Sequence, residues 1–166
     1  MQTEVLDMVL RKPTEEDGAR IWELVKDTGV LDLNSAYSYL MICKFFPDTC
    51  VVAEHNGQII GFVTAFRLPK QPDTIFVWQV GVTADQRGHG IGKTLLKELI
   101  GREACKGVDY LEATVSPSNL PSQSLFRALA QDLNTDCETK ECFSAELFPV
   151  PHEPEWTFRI GPFPSG

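Results

Sequence analysis

The sequence predicts an α/β fold, in which a mixed β-sheet is flanked by helices. Three observations predict this class. Apolar residues recur at helical spacing in some segments and at strand spacing in others, and the two kinds of segment are interleaved along the chain. Asn56-Gly57 separates two strand-like segments and is a strong hairpin signal. An apolar strand over residues 75–82 then runs through a glycine-rich turn into an amphipathic helix.

Two helices are predicted before the first strands. The first begins near Thr14, which we interpret as its N-terminal cap, and ends at Gly29. The second ends before Pro47, because proline cannot continue a helix. Its candidate caps are Asp32, Asn34 and Ser35.

A β-meander follows, and after it come further helices and strands. The predicted strands of the meander are Thr49–His55, Gln58–Arg67 and Thr74–Val82, with a loop over Leu68–Asp73. Gly81 interrupts the third strand, and such a glycine often marks a bulge or a close approach of a ligand to the backbone. The helix after the glycine-rich turn is expected to end near Lys106-Gly107. The later elements are a strand over Asp109–Val115, a helix that includes Phe126, and strands over Cys137–Leu147 and Trp156–Ile160.

Composition narrows the class of protein. A length of 166 residues predicts a single domain over 1–166. The net charge of −8 argues against a nucleic-acid partner, because phosphate backbones favour a basic surface. Five cysteines without a Cys-x-x-Cys pair indicate reduced thiols in a cytoplasmic protein. The histidines lack ligand-like spacing, so we expect no metal. No apolar run is long enough to predict a membrane span.

The glycine-rich turn, Arg87 to Lys93, predicts an anion site. A strand, a glycine turn and a helix start present unpaired backbone amides to a phosphate, and Arg87 and Lys93 add positive charge. A Walker A loop would need glycine at position 87, which is arginine. A dinucleotide fingerprint would need its third glycine at position 93 or 95, which are lysine and leucine. What remains is the pattern Arg-x-x-Gly-x-Gly over 87–92.

That pattern resembles the diphosphate-binding motif of the GCN5-related N-acetyltransferases, which use acetyl-CoA. The predicted order of elements is also similar to that fold, a mostly antiparallel sheet with a splayed parallel pair that admits the pantetheine arm near Gly81. The resemblance implies that the diphosphate and pantetheine of acetyl-CoA are held by Val80, Val82, Arg87, Gly88, Gly90, Ile91, Gly92, Lys93 and Asn119. The alternative role for Asn119 is to cap the helix that follows it. A backbone N–H near Val80 would be the oxyanion donor.

Longer segments resemble one branch of that superfamily, the L-2,4-diaminobutyrate acetyltransferases of the ectoine pathway. They are Leu31–Leu40, Thr49–Glu54, Gly61–Phe66, Pro72–Val80 and Leu111–Asn119. The resemblance implies acetyl transfer from acetyl-CoA to the 4-amino group of L-2,4-diaminobutyrate. It also implies a homodimer and a role in making an osmoprotectant. Many superfamily members carry a tyrosine on the helix after the Asn119-like position, where this chain has Leu125, Phe126 and Arg127.

The amine must lose a proton before it can react. An aliphatic ammonium has a pKa of about 10, so only about one molecule in a thousand is neutral at pH 7. We therefore expect a proton acceptor or a water relay. The predicted catalytic residues are Glu112, Asp32 and Trp78. Glu112 is a charge in mid-strand, which is unusual unless it lines a cleft; the alternative is an exposed strand face.

The substrate site is predicted to combine carboxylates with aromatic side chains. Its candidate residues are Asp32, Tyr37, Tyr39, Trp78, Gln79, Glu112, His152 and Glu153. Trp78 and Tyr39 are placed there to stack on an ammonium, with core packing as the alternative for Trp78. His152 and Glu153 lie in a Pro-His-Glu-Pro loop that either closes over the substrate or is a surface connector.

Two other functions remain open at this point. The same fold can acetylate another small amine or amino acid. A non-catalytic acyl-CoA-binding sensor would bind coenzyme A and transfer nothing. Turnover on a panel of amines separates these possibilities.

Overall fold

The computed structural model describes residues 7–164. The strands are β1 (Val9–Arg11), β2 (Val51–His55), β3 (Gln58–Leu68), β4 (Gln71–Val82), β5 (Tyr110–Val115), β6 (Asp136–Phe143) and β7 (Glu155–Gly161). The helices are α1 (Asp17–Thr28), α2 (Ala36–Phe45), α3 (Ile91–Ile100) and α4 (Leu120–Asp132). The sheet has seven strands in the order β1-β2-β3-β4-β5-β7-β6, and β4 and β5 are parallel. The predicted mixed sheet with a parallel pair and flanking helices is confirmed.

The chain divides into two compact units. The first contains the described residues 7–64 and 79–104, and the second contains 65–78 and 105–164. Strands β3 and β4 each contribute residues to both units.

In the first unit, α1 and α2 pack at Gly18. A Cβ atom at this position would lie 3.0 Å from the backbone of Leu40, so a larger residue would require the two helices to shift by a few tenths of an ångström. The apolar side of α1 is buried through Ile21, Leu24 and Val25. Each fully buried aliphatic side chain contributes about 1.5–3 kcal/mol through the hydrophobic effect.

The start of α1 differs from the sequence prediction. The predicted cap at Thr14 is wrong, since α1 begins at Asp17 and the Asp17 carboxylate accepts a hydrogen bond from the Thr14 N–H at 2.7 Å. Arg11 donates two hydrogen bonds to Asp17, at 2.7 and 3.0 Å, and a third to Glu54 at 2.6 Å. Burial opposes ionisation of Asp17, but the hydrogen bonds from Arg11 and Thr14 outweigh it and lower the pKa of its carboxyl.

Several predicted boundaries need correction. The predicted loop over Leu68–Asp73 shrinks to Pro69 and Lys70, because β3 extends to Leu68 and β4 begins at Gln71. Proline is tolerated at position 72 near the start of a strand. The chain from 101 to 107 is not part of α3, which ends at Ile100. The late strand predicted to reach Leu147 ends at Phe143 and is followed by a 3-10 turn.

In the second unit, α4 lies against β6 and β7. The rings of Phe126 and Phe158 are 6.5 Å apart, and both side chains are buried. Strand β5 alternates, so that Leu111, Ala113 and Val115 are buried on one face. The other face of β5 therefore carries its polar side chains.

The described cysteines are all free thiols. Cys43, Cys50 and Cys105 are buried. Burial is the main cause that raises the pKa of the Cys43 thiol to about 12. None of the helices within residues 7–164 has the length and hydropathy that a membrane crossing requires.

Candidate active site

The glycine-rich turn of the first unit has the backbone geometry of an anion site. Gly88 and Gly90 are exposed and have φ angles of 84° and 74°, a region that side chains disfavour. Gly90 caps α3, and because glycine has no side chain the cap residue makes no side-chain hydrogen bond to the first amides of this helix. Backbone N–H groups at the positive end of the helix dipole are therefore available to an anionic group.

The residues next to these glycines contribute packing or positive charge to the turn. Ile91 is only 3 % exposed, so its side chain anchors the helix in the core and its backbone amide faces the turn. Arg87 is exposed and Lys93 is half-buried, and both carry positive charge beside the glycines. Together with Gly92, this set has the donors that a diphosphate requires.

Gly81 in β4 is a point of close packing within the first unit. A Cβ atom there would lie 2.6 Å from Leu31 and 2.8 Å from Phe62. The close approach expected at Gly81 is thus made by the chain's own side chains. The flanking residues Val80 and Val82, predicted to pair with pantetheine, are half-buried.

A polar network joins α2, β4 and the segment before α2. The Tyr39 hydroxyl donates to the Gln79 side-chain oxygen at 2.7 Å, and the Gln79 amide nitrogen donates to the backbone oxygen of Asp32 at 2.8 Å. The backbone and side-chain N–H groups of Asn34 donate to the same Tyr39 hydroxyl at 3.4 and 3.3 Å. Ser35 is the cap of α2, since its side chain accepts from the Ser38 N–H at 3.2 Å.

Two aromatic candidates of this unit have different environments. Tyr39 is fully buried, so its ring is part of the core and only its hydroxyl takes part in polar contacts. Tyr37 is 68 % exposed, and it belongs to a set of exposed apolar side chains near α2. The others in that set are Leu33, Leu40, Met41, Phe45 and Phe46.

In the second unit, Glu112 forms a salt bridge with Arg159. The two residues are register partners on β5 and β7, and the Arg159 guanidinium also donates to Thr74 at 3.3 Å. The guanidinium lies 3.7 Å from the ring centre of Tyr110, a distance typical of a cation–π contact. The Glu112 side chain is 15 % exposed, so the mid-strand charge is neutralised within the unit rather than solvated on a strand face.

Trp78 ends the part of β4 that belongs to the second unit, and it is half-buried. Strand alternation places it on the same face of β4 as Thr74 and Phe76. Thr74 contacts Arg159 on that face. Stacking of Trp78 on the substrate ammonium stays a prediction, and its half-buried position does not separate that role from core packing.

Asn119 caps α4, with its side-chain oxygen accepting from the Ser122 N–H at 3.2 Å. The capping role that the sequence allowed is present, and pantetheine binding stays a prediction. The turn before it is tied to Glu153, whose carboxylate accepts from the Ser118 N–H at 3.2 Å and from its hydroxyl at 2.5 Å. The ring of His152 stacks on Phe148 at 3.9 Å.

The predicted site residues therefore form two groups. The first unit contains Asp32, Tyr37, Tyr39, Gln79, Val80, Val82, Arg87, Gly88, Gly90, Ile91, Gly92 and Lys93. The second unit contains Trp78, Glu112, Asn119, His152 and Glu153. Sequence reasoning missed Arg159, although it is a mid-strand charge of the same kind as Glu112 and the same signal identifies it.

Comparisons with known proteins identify the family of this chain. The model of the acetyltransferase (GNAT) family matches residues 18–130. An L-2,4-diaminobutyric acid acetyltransferase of Shouchella clausii is 55% identical over 166 residues, which cover 99% of this chain and 92% of that protein. The protein of the same name from Halalkalibacterium halodurans is 56% identical over 156 residues, which cover 93% of this chain and 82% of that protein.

Solved structures extend the comparison. Diaminobutyrate acetyltransferase EctA from Paenibacillus lautus, in complex with its substrate L-2,4-diaminobutyric acid and coenzyme A, superposes with a TM-score of 0.92 at 46% identity. The match covers 98% of this chain and 99% of that one. The ribosomal-protein-S18-alanine N-acetyltransferase of Escherichia coli shares the fold at a TM-score of 0.74 and 16% identity, over 96% of this chain and 97% of that one. This chain belongs to the L-2,4-diaminobutyric acid acetyltransferase family, within the GNAT acetyltransferases.

Proposed function

We propose that this protein transfers the acetyl group of acetyl-CoA to the 4-amino group of L-2,4-diaminobutyrate and so makes N4-acetyl-L-2,4-diaminobutyrate for ectoine biosynthesis. The observation that carries this proposal is the match, along nearly the whole chain, to EctA of Paenibacillus lautus, a structure that holds both diaminobutyric acid and coenzyme A. The anion site at residues 87–93 supports it independently.

The residues of that turn fit the diphosphate of acetyl-CoA. Gly88 and Gly90 place no side chain between their amides and an approaching phosphate, since a Cβ built at either one has no neighbour within 4 Å. Arg87 and Lys93 supply charge, and the amides of Ile91 and Gly92 supply donors. The strand backbone at Val80 and Val82 would pair with the pantetheine as an added strand does. When bound, acetyl-CoA supplies an acetyl group activated as a thioester.

The substrate has two ammonium groups and one carboxylate, so selecting the side-chain amine requires that the α-amino acid end be held. The Asp32 side chain is an exposed carboxylate, which is suited to an ammonium group, and the backbone oxygen of Asp32 accepts a hydrogen bond from Gln79. Holding both reactants at contact distance lowers the barrier by up to about 7–11 kcal/mol in the best cases. Binding and orientation are thus the main contribution that we assign to the protein.

Proton removal is assigned to a carboxylate or to a water relay. Glu112 already neutralises Arg159, and accepting a proton would weaken that salt bridge. Asp32 is exposed and can accept a proton through water. Residues 125–127 of α4 include no tyrosine, so we assign the proton of the leaving thiolate to water or to the attacking nitrogen, which loses a proton as the amide forms.

The experiment is a thiol-release assay with purified protein, acetyl-CoA and a panel of amines. We expect the highest kcat/KM with L-2,4-diaminobutyrate and a product acetylated at the 4-amino group by NMR. Equal or better turnover of an unrelated amine would reject the substrate assignment and favour another acetyltransferase activity. Heat from coenzyme A binding without transfer to any amine would favour a sensor.

We also propose a cytoplasmic homodimer with an osmoprotective role. The exposed apolar side chains Leu33, Tyr37, Met41, Phe45 and Phe46 support self-association, because burying them removes apolar surface from water. The buried free thiols support a reducing compartment. Light scattering after size exclusion tests the dimer, and a monomer at micromolar concentration contradicts it. Salt sensitivity of a host strain that lacks the protein tests the physiological role.

A further inference from the structure

We propose that Gln79 and Tyr39 are positioning residues for Asp32, which they hold in place for the substrate ammonium, and that they do not themselves contact the substrate. This inference rests on the proposed function. It assigns a different role to two side chains that the sequence places among the substrate contacts. The contacts that carry it all lie within the first unit.

The side chains of Tyr39 and Gln79 already form hydrogen bonds with other residues of the first unit. The Tyr39 hydroxyl accepts from Asn34 and donates to Gln79, while the ring is fully buried. The Gln79 oxygen accepts from Tyr39, and its nitrogen donates to the backbone oxygen of Asp32. A substrate that bound the Tyr39 hydroxyl would have to replace one of its hydrogen bonds and would gain little from the exchange. These contacts of Gln79 use one of its two N–H groups and one lone pair of its oxygen, and they fix the orientation of the amide.

Contacts at three residues hold the segment 31–34 against the rest of the first unit. Leu31 packs where Gly81 has no side chain, with 2.6 Å between its Cδ1 and the place a Cβ would take. The backbone oxygen of Asp32 is held by Gln79, and Asn34 is held by Tyr39. These contacts fix the backbone on both sides of Asp32 and at Asp32 itself, while its carboxylate stays exposed.

The chemistry follows from this arrangement. A carboxylate on a mobile segment loses conformational entropy when it binds an ammonium, and a carboxylate whose backbone is already fixed loses less. The network therefore contributes to diaminobutyrate binding without touching the substrate. Its loss should weaken binding of the amine and leave acetyl-CoA binding nearly unchanged.

The test is a double-mutant cycle on the full-length protein. Gln79→Leu keeps the volume of the side chain and removes both hydrogen bonds, and Tyr39→Phe removes only the hydroxyl. Each is measured alone and in an Asp32→Asn background, as kcat/KM for diaminobutyrate and as KM for acetyl-CoA. Gln131→Leu, at an exposed position of α4, is the matched control.

We expect Gln79→Leu to lower kcat/KM for diaminobutyrate about ten-fold, within the range of coupling between contacting residues, with KM for acetyl-CoA changed less than about two-fold. In the Asp32→Asn background the same change should have less than about a two-fold effect. An equal loss in both backgrounds would overturn the proposal, because Gln79 would then act independently of Asp32.

Hydrogen–deuterium exchange of the segment 30–36 gives a readout that needs no substrate. We expect faster exchange in Gln79→Leu and Tyr39→Phe than in the wild type and in Gln131→Leu. Unchanged exchange in this segment would overturn the proposal. Absence of diaminobutyrate turnover by the wild-type protein would instead refute the proposed function, so the two failures are distinguishable.

Discussion

Glu112 and Arg159 face each other in the register of β5 and β7, and their side chains form a salt bridge beside the ring of Tyr110. Glu112 lies on the face of β5 that carries the polar side chains of that strand, and Arg159 also donates a hydrogen bond to Thr74 of β4. Glu112 is therefore held in one orientation, and its removal leaves a partly buried guanidinium without its carboxylate.

The first prediction concerns this pair. Glu112→Gln should lower kcat for diaminobutyrate by about 10–100-fold, because the Arg159 guanidinium loses its carboxylate and is displaced from Thr74 and Tyr110. The affinity for coenzyme A should change less. Glu141→Gln, at an exposed position of β6, is the control. Unchanged turnover would remove Glu112 from the site.

The second prediction concerns Arg87. Arg87→Ala should weaken coenzyme A binding by about 10–100-fold, the range expected for a lost charge-assisted hydrogen bond. Because Arg87 is exposed, the melting temperature should stay close to that of the wild type. Calorimetric titration with coenzyme A is the measurement, and Lys106→Ala removes a positive charge elsewhere as the control. Wild-type affinity would contradict the phosphate assignment.

The third prediction concerns Gly81. Gly81→Ala should destabilise the protein by about 1–3 kcal/mol, because Leu31 and Phe62 must move to admit the new methyl group. It should also raise KM for diaminobutyrate, since Leu31 is next to Asp32. Gly101→Ala is the matched control, because its nearest neighbours are 3.6 Å or more from the new atom. Denaturant unfolding that gives equal stability for both variants would argue against this packing.

The fourth prediction concerns Asp17. Its pKa is lowered in the folded state from an ordinary value of 3.8, so its ion pair stabilises the fold above that pH. This contribution is lost as the pH falls through the lower, folded pKa. Asp17→Asn should reduce the free energy of unfolding at pH 7 by about 2–4 kcal/mol and flatten its decline in acid.

Urea unfolding between pH 7 and pH 2 measures the Asp17 effect. Asp27→Asn, an exposed position on the same helix, is the control and should follow the wild type. Parallel acid profiles for the wild type and Asp17→Asn would show that the buried ion pair does not govern acid stability.

The fifth prediction concerns the neutral amine. If its concentration limits the reaction, kcat/KM for diaminobutyrate should rise from pH 7 to pH 9, because an ammonium with a pKa of about 10 loses its proton more often at higher pH. Coenzyme A binding, measured over the same range, separates this effect from changes at the phosphate turn. A flat profile between these pH values contradicts the step.

Much of the first unit's site could be predicted from the sequence because the signals are local. The turn from Arg87 to Lys93 needs positive φ angles and a helix start, and both depend on a few neighbouring residues. The hairpin at Asn56-Gly57 is likewise local, with φ angles of 52° and 75°. The conformations of these turns depend little on residues that are distant in the sequence.

The roles of single polar side chains depended on tertiary structure. Tyr39 and Gln79 are 40 positions apart, and Glu112 and Arg159 are 47 apart, so neither pair has a local signature. Thr14 lost its expected capping role because Arg11, in the short strand β1, brings Asp17 into an ion pair that local propensity does not contain.

The sequence alone predicted the hairpin, the glycine-rich turn at residues 87–93 and the family, because these depend on spacing and on residue type, but it did not predict β1 before the first helix. Tertiary structure alone decided which polar groups are available to a substrate. Sheet register and helix packing bring distant residues together, and a side chain that is bonded to its own chain can orient the site without binding the substrate.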